Sequence, residues 1–468
     1  MKKILLAAAL AGTALGGFSA AQAADLPAKA KYYKAPAVAV YNWTGFYIGV
    51  NAGVGFGRSY THISSGGADP REFVGGLGGF GGGQIGYNWQ YGNLLGFGNM
   101  VLGLEADLQG GSLRDNRTTV NTGLAAGGGF GLDQKTDWFG TVRGRVGIAQ
   151  GSVLSYFTGG FAYGGVKTGI TDLTNATTTN ISGTRTGWTI GSGVEAALGG
   201  NWTGKIEYLY VDLGSQSATV LAPRAYLYTS EIREHLFRVG LNYRIGGPSA
   251  WSEPVANVGG WYVGGNFGGA TALNRSDLIS PGVANERFNL SPNGYAGGLQ
   301  AGYNWQAANW VLGLEADIQG SSQRDNKTVE FTGAPGVFAA YNQKMQWFGT
   351  VRGRVGYMVG STLFYGTGGF AYGGVKTDIA TTFGAPLNQS FSRTKTGYAV
   401  GGGIESPFNA FGWFGPNWTS KTEYLYVDLG RSTDPILGST FTFSTRATEH
   451  VFRTGLNYHF NSPVVAKY

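Results

Sequence analysis

Beyond the first two dozen residues, apolar side chains alternate with polar or small ones, the two-residue period of a β-strand, and helical spacing is sustained nowhere. Between residues 41 and 246 the alternation falls into eight segments, near 43–56, 76–90, 98–113, 134–149, 152–168, 184–197, 201–214 and 229–245. Leu102, Leu104, Ala106 and Leu108 share one face of their strand, and Gly103, Glu105, Asp107 and Gln109 the other. Val142, Val146 and Ile148 oppose Thr141, Arg143, Arg145 and Gly147 in the same way, and Phe237, Val239, Leu241 and Tyr243 oppose Arg238, Gly240, Asn242 and Arg244. Charge is confined to one face. The connections after the first, third, fifth and seventh strands are long and rich in Ser, Thr, Asn and Gly, as at Thr171 to Gly183. Those near Gly151 and Gly199 are tight. An even strand number with long loops at one end and tight turns at the other predicts an all-β fold, a transmembrane antiparallel β-barrel with both ends in the periplasm. A soluble sandwich would alternate too. The aromatic load at strand ends and outward positions (Trp43, Tyr47, Trp89, Trp138, Trp188, Trp202, Tyr208, Tyr210) favours bilayer girdles instead.

The pattern occurs twice. Trp138 to Gly147 returns letter for letter as Trp347 to Gly356, and Gly159 to Thr168 returns as Gly368 to Thr377. Gly103 to Asp107 returns at Gly313 to Asp317, and Glu207 to Gly214 at Glu423 to Gly430. The predicted organisation is a signal peptide at 1–23, a periplasmic N-terminal tail at 24–40, a first eight-stranded unit at 41–246, a linker at 247–258 with two prolines, and a second eight-stranded unit at 259–468. Two tandem barrels and one merged 16-stranded barrel both satisfy this count. The length of the linker favours two, since tight turns are the periplasmic rule.

Composition sharpens the class. Only 13% of the 468 residues are charged while 83 are glycine, far from the balance of a soluble enzyme. Lys2 and Lys3, the apolar run Ile4 to Leu15 and Ala21-Gln22-Ala23 read as an export signal; that run is too short to span a bilayer as a helix. The absence of cysteine removes disulfides, thiolate catalysis and Cys-ligated metals. A net charge of +7, without a basic cluster or motif, gives no reason to expect nucleic-acid binding.

In a closed barrel the charged faces point inward. The first unit then places Glu105, Asp107, Glu195, Glu207 and Glu234 against Arg143, Arg145, Lys205 and Arg238; the second places Glu315, Asp317, Glu405, Glu423 and Glu449 against Arg352, Arg354, Lys421 and Arg453. In an eight-stranded barrel, whose interior side chains fill, these groups form a charge network that plugs the lumen, with Glu105 and Asp107 expected to pair with Arg143 and Arg145. In a wider barrel the same residues would line a water-filled pore. No catalytic set emerges: the four histidines, His62, His235, His450 and His459, have no serine placed to complete a nucleophile, and no His/Asp/Glu group has metal-ligand spacing. His235 and His450 fall on the outward parity. No cofactor is expected, and the glycine-rich strings lack the strand–loop–helix context of a nucleotide site.

Several blocks are distinctive: the mature start Ala24-Asp25-Leu26-Pro27, the opening Tyr41 to Gly49, Gly-Phe-Ala-Tyr-Gly-Gly, Glu-Tyr-Leu-Tyr-Val-Asp-Leu-Gly and the closing Pro463 to Tyr468. Together they resemble the alphaproteobacterial outer-membrane immunogenic protein family, small porin-like or OmpA-like barrels, some described as haemin-binding. The resemblance implies surface-exposed loops, contact with outer-membrane lipid and lipopolysaccharide, and insertion by the outer-membrane assembly machinery, with Tyr468 as the assembly signal. It also implies a structural role at the surface, with a porin for small hydrophilic solutes as the alternative. Haemin capture by the loops is a weaker alternative, for which His62 is the best available ligand. The family barrel usually occurs once, so the pairing of two is this chain's own feature.

Overall fold

The structure, a computed structural model, describes residues 41–460 apart from segments at 65–70, 93–98, 122–128, 174, 222–224, 247–254, 280–285, 331–337, 382–386, 410–413 and 438–439. The expected signal peptide, the N-terminal tail, most of the linker and Tyr468 lie outside the described residues. Among those described, no helix is long and apolar enough to cross a membrane, and the chain is built from strands.

The first half contains β1 (Gly45–Gly57), β2 (Ser59–Ser64), β3 (Arg71–Val74), β4 (Leu77–Tyr91), β5 (Asn99–Asn121), β6 (Gly129–Gln150), β7 (Val153–Asp172), β8 (Thr177–Gly199), β9 (Trp202–Leu221) and β10 (Ala225–Ile245). Eight of these form a ring in chain order, closed by antiparallel pairing of β1 with β10; β2 and β3 form a hairpin that extends the wall along the upper part of β10. The second half repeats this with β11 (Gly260–Thr271), β12 (Asn274–Ile279), β13 (Glu286–Leu290), β14 (Asn293–Ala307), β15 (Trp310–Ser321), β16 (Arg324–Glu330), β17 (Phe338–Val359), β18 (Thr362–Thr381), β19 (Leu387–Pro407), β20 (Trp418–Pro435) and β21 (Thr442–His459). Its ring closes through β11 and β21. A merged barrel requires β10 to pair with β11; each instead pairs with the far end of its own repeat. The fold is therefore two eight-stranded barrels in tandem.

Lipid explains the outer faces. Leu104, Leu108, Val142, Val146, Phe157 and Phe161 are all exposed, and none of the exposed residues of this stretch is charged among those described. From Ile148 to Trp138 the wall rises about 25 Å at ~3.3 Å per residue and ~40° tilt, the height of an apolar membrane belt. Rings mark both rims. Phe46–Tyr87 and Trp202–Tyr243 stand at the tight-turn end of the first barrel, Trp138–Tyr163 and Trp188–Tyr210 at the other. Trp310–Tyr357 and Trp347–Tyr372 do the same in the second. Three residues expected in the girdles are not there: Trp43 and Tyr47 are buried inside the lumen, because Tyr47 lies between outward Phe46 and Ile48, and Tyr208 faces the other barrel.

Strands outrun their sequence-predicted ends chiefly on the loop side, by up to eight residues against one or two at the tight turns. The segment Thr171 to Gly183, expected as a loop, is mostly a ladder in which Thr171 faces Thr178 and Ile170 faces Thr179. Above the lipid the outer face of the wall meets water and turns polar, so the outward apolar positions that mark a strand lower down are lost there, although Phe130, Leu132, Ile170, Val220 and Tyr228 still pack together on the inner face.

The two barrels belong to one compact unit and touch along their outer walls. Phe237 packs on Tyr424 with ring centroids 4.6 Å apart, and Tyr208 on Phe452 at 5.8 Å. Tyr208 and Tyr424 are equivalent positions of the repeat, as are Phe237 and Phe452. Residue i of one barrel thus meets j of the other while j meets i, the signature of a two-fold interface. His235 and His450 are outward, as parity predicts, but the seam covers them; Tyr208 Oη lies 2.8 Å from His235 Nδ1 and Tyr424 Oη 2.7 Å from His450 Nδ1.

Candidate functional site

The lumen of each barrel gathers the sequence-predicted charges. In the first, β5 and β6 set Glu105 opposite Arg143, and β9 and β10 set Glu207 opposite Arg238. Parity turns all four inward, and ring closure brings the two strand pairs together across the lumen. Arg143 donates to Glu105, to Asp107 at 2.9 Å and to Glu207 at 3.0 Å. Arg238 donates to Glu207 at 2.5 Å and Asp107 at 2.9 Å, and Lys205 donates to Glu105 at 2.8 Å. Arg145 reaches Glu195 at 2.9 Å and comes within 3.8 Å of Glu105. Four acids face four bases, each of them buried. An isolated buried ion costs several kcal/mol, so such groups persist only when paired this closely.

The second lumen reproduces the arrangement. Arg352 donates to Glu315 at 2.5 Å, Asp317 at 2.9 Å and Glu423 at 3.3 Å. Arg453 contacts Asp317 at 2.7 Å and Glu423 at 2.5 Å, Lys421 donates to Glu315 at 2.8 Å, and Arg354 to Glu405 at 2.6 Å.

Two expectations are corrected. Glu105 pairs with Arg143 as expected, but Asp107 does not pair with Arg145: the register sets Gly103 opposite Arg145 and Asp107 opposite Thr141, four residues along the strand, so Arg145 turns across the lumen to Glu195. Glu234 and Glu449 point inward but stand outside the networks. Glu234 sits between Ile232 and Leu236 and accepts a 2.6 Å hydrogen bond from Thr136; Glu449 sits between Ala447 and Val451 and accepts one from Gln323.

Apolar layers cap the network on both sides. Phe80, Leu113, Phe139, Leu209, Val211 and Leu236 pack above it in the first barrel; Phe348, Leu425, Val427 and Val451 pack above it in the second. Below, the lead-in chain enters the first lumen. Trp43 is fully buried, its Nε1 donates to the Gly151 carbonyl at 3.2 Å, and Arg244 stacks on Tyr41 and Trp43. The end of the linker plays that part in the second barrel, where Ala256 and Val258 pack on Val311, Met358 and Leu363. His459 stands where the first barrel has Arg244, 3.3 Å from Glu405.

Sequence reasoning missed the tyrosines that complete the network. Tyr47 donates to Glu105 at 2.8 Å and Tyr156 to Glu207 at 3.0 Å, with Tyr262 and Tyr365 repeating this on Glu315 and Glu423. A signal was present, since Gly86 and Gly302 lie on the neighbouring strand where a Cβ would fall 2.2 and 2.4 Å from the Tyr47 and Tyr262 hydroxyls. His62 lies on β2, opposite Thr229 and Arg71, and among the described residues no group of three His, Cys, Asp or Glu is arranged to hold a metal.

Comparison with known proteins agrees with this architecture. The family model described as an outer membrane protein β-barrel domain matches twice, at residues 10–244 and 249–460. The 31 kDa outer-membrane immunogenic protein of Brucella melitensis is 39% identical over 257 residues, covering 52% of this chain and all of that one. The 22 kDa outer membrane protein of Rhizobium leguminosarum is 36% identical over 211 residues, covering 45% of this chain and 83% of its own length. Among solved structures, Ail, the attachment invasion locus protein of Yersinia pestis, is 17% identical with a TM-score of 0.19, covering 42% of this chain and 99% of that one. The chain belongs to the outer-membrane β-barrel protein family, carries its domain twice, and resides in the cell outer membrane.

Proposed function

We propose that the protein is a non-enzymatic, non-conducting pair of lipid-embedded barrels whose role is structural: to hold extended hairpins at the cell surface, in contact with outer-membrane lipid and lipopolysaccharide. On this reading the outer-membrane assembly machinery inserts it, with Tyr468 as part of the signal. The filled lumen carries the proposal. Each barrel stacks an apolar stopper, a charge network at hydrogen-bond distance and a second apolar layer, and water has no continuous polar path through such a stack. The porin alternative needs the same charges to face water, whereas they face one another. Single-channel recording of the refolded mature chain in a planar bilayer tests this. Protein shown to be inserted should give no steady openings; openings of porin size would overturn the reading.

A further inference from the structure

Three cationic side chains stand in a row on the outer wall of each barrel, just above the rim rings on the loop side. In the first barrel the ladders set Arg114 opposite Lys135 and Lys135 opposite Lys167. In the second they set Arg324 opposite Lys344 and Lys344 opposite Lys376. The next strand adds a hydroxyl in register each time, Ser182 facing Lys167 and Ser392 facing Lys376. Like charges directly opposite across a strand pair destabilise a sheet. Both repeats nevertheless carry the row at equivalent positions, and its side chains reach into solvent: Arg114 is 50% exposed and Lys167 66%. Just below lie Trp138–Tyr163 and Trp347–Tyr372, rings of the kind that settle at the boundary between lipid tails and headgroups. The next outward rung therefore falls at headgroup height. Short turns and the plugged lead-in occupy the opposite end, which makes this the outer leaflet.

The two rows differ in how far their charge is already answered. In the first barrel Asp133 pairs with Arg114, and Asp137, on a β-bulge, pairs with Lys135 and with Lys167 at 2.8 Å. The second barrel has Asn342 and Gln346 in those places. Its one acid beside the row is Asp378, 3.3 Å from Lys376, and among the described residues neither Arg324 nor Lys344 has an ion-pair partner.

We propose that each row is a docking ridge for the phosphorylated headgroup of an outer-leaflet glycolipid, and that the ridge of the second barrel binds more tightly. The proposal rests on the surface-facing reading above and adds the residues and the ligand chemistry. The arginine presents a planar fork to phosphate oxygens, the lysines add point charges on either side of the next phosphate, and the serines supply neutral donors. Acyl chains of the same lipid would lie along the apolar band directly beneath, so one molecule satisfies both halves of the wall.

The test uses the full chain in nanodiscs with bisphosphorylated lipid A as probe, dephosphorylated lipid A as control and inorganic phosphate as competitor. Replacing the second ridge together (Arg324→Gln, Lys344→Gln, Lys376→Gln) should weaken lipid A binding at least about tenfold, and Asp137→Asn should strengthen it a few-fold by releasing the first ridge. Dephosphorylated lipid should bind wild type and triple variant alike. Unchanged lipid A binding by an inserted triple variant would overturn the ridge, and displacement by millimolar inorganic phosphate alone would show a free-anion site in place of a lipid site. A variant that inserts, stays electrically silent and binds as wild type sinks the ridge alone. Channel openings by the wild type would sink the surface reading instead.

Discussion

Arg143 holds three carboxylates at once, Glu105, Asp107 and Glu207, and Arg352 does the same in the second barrel. Arg143→Ala leaves those acids without their shared counter-charge, so unfolding free energy should fall by about 3–5 kcal/mol in denaturant titrations of the refolded protein. A double-mutant cycle on Glu105 and Arg143 should return a coupling of about 1–3 kcal/mol, and zero coupling would refute the pairing. Glu234 offers the contrast. Among the described residues it bonds only Thr136, within an apolar layer, so Glu234→Gln should change stability by less than about 1 kcal/mol, whereas Glu105→Gln should cost more, because it unbalances four bases. Parity alone placed these groups inward from sequence. Partnership was not legible, because Arg145 meets Glu195 across the lumen and such a distance is set by ring closure, not by neighbours along one strand pair.

At the scale of elements, the strand cores were legible and their outer ends were not. A wall embedded in lipid must present apolar side chains outward, while the same wall in water need not, so the ladder of β7 and β8 continues up to Thr171 and Thr178 without the outward apolar alternation seen lower down. The hairpin they form stands clear of the bilayer. A short epitope inserted after Asn175 should therefore be labelled on intact cells without permeabilisation, and labelling only after permeabilisation would invert the orientation. The lead-in segments were equally hidden. Trp43 reads as a girdle residue from sequence, yet it is a stopper, because the chain enters the lumen before it joins the wall.

For the whole molecule, sequence left one barrel or two open, and strand pairing decides it: β1 closes on β10 and β11 on β21. The seam between the rings was invisible to pattern analysis, since Tyr208, Phe237, Tyr424 and Phe452 look like any other lipid-facing aromatics. The absence of cysteine makes the seam easy to test. With a protease site placed in the linker, the cut halves should co-purify in mild detergent. Phe237→Cys with Tyr424→Cys should let a short thiol cross-linker rejoin them; halves that separate and fail to cross-link would refute the seam.

The linker that ends as a stopper has one more consequence. From Gly246 to Ala256 the strand of chain available is roughly ten residues, a leash of about 35 Å at full stretch. Two eight-stranded barrels on such a leash cannot drift apart in the plane of the membrane, and each sees the other at millimolar local concentration whatever the density of other proteins around them. The aromatic contacts then need contribute little affinity; they select one rotational setting among the neighbouring arrangements the leash permits. Single substitutions in those rings should thus pass unnoticed in the intact chain and show their effect only after the leash is cut.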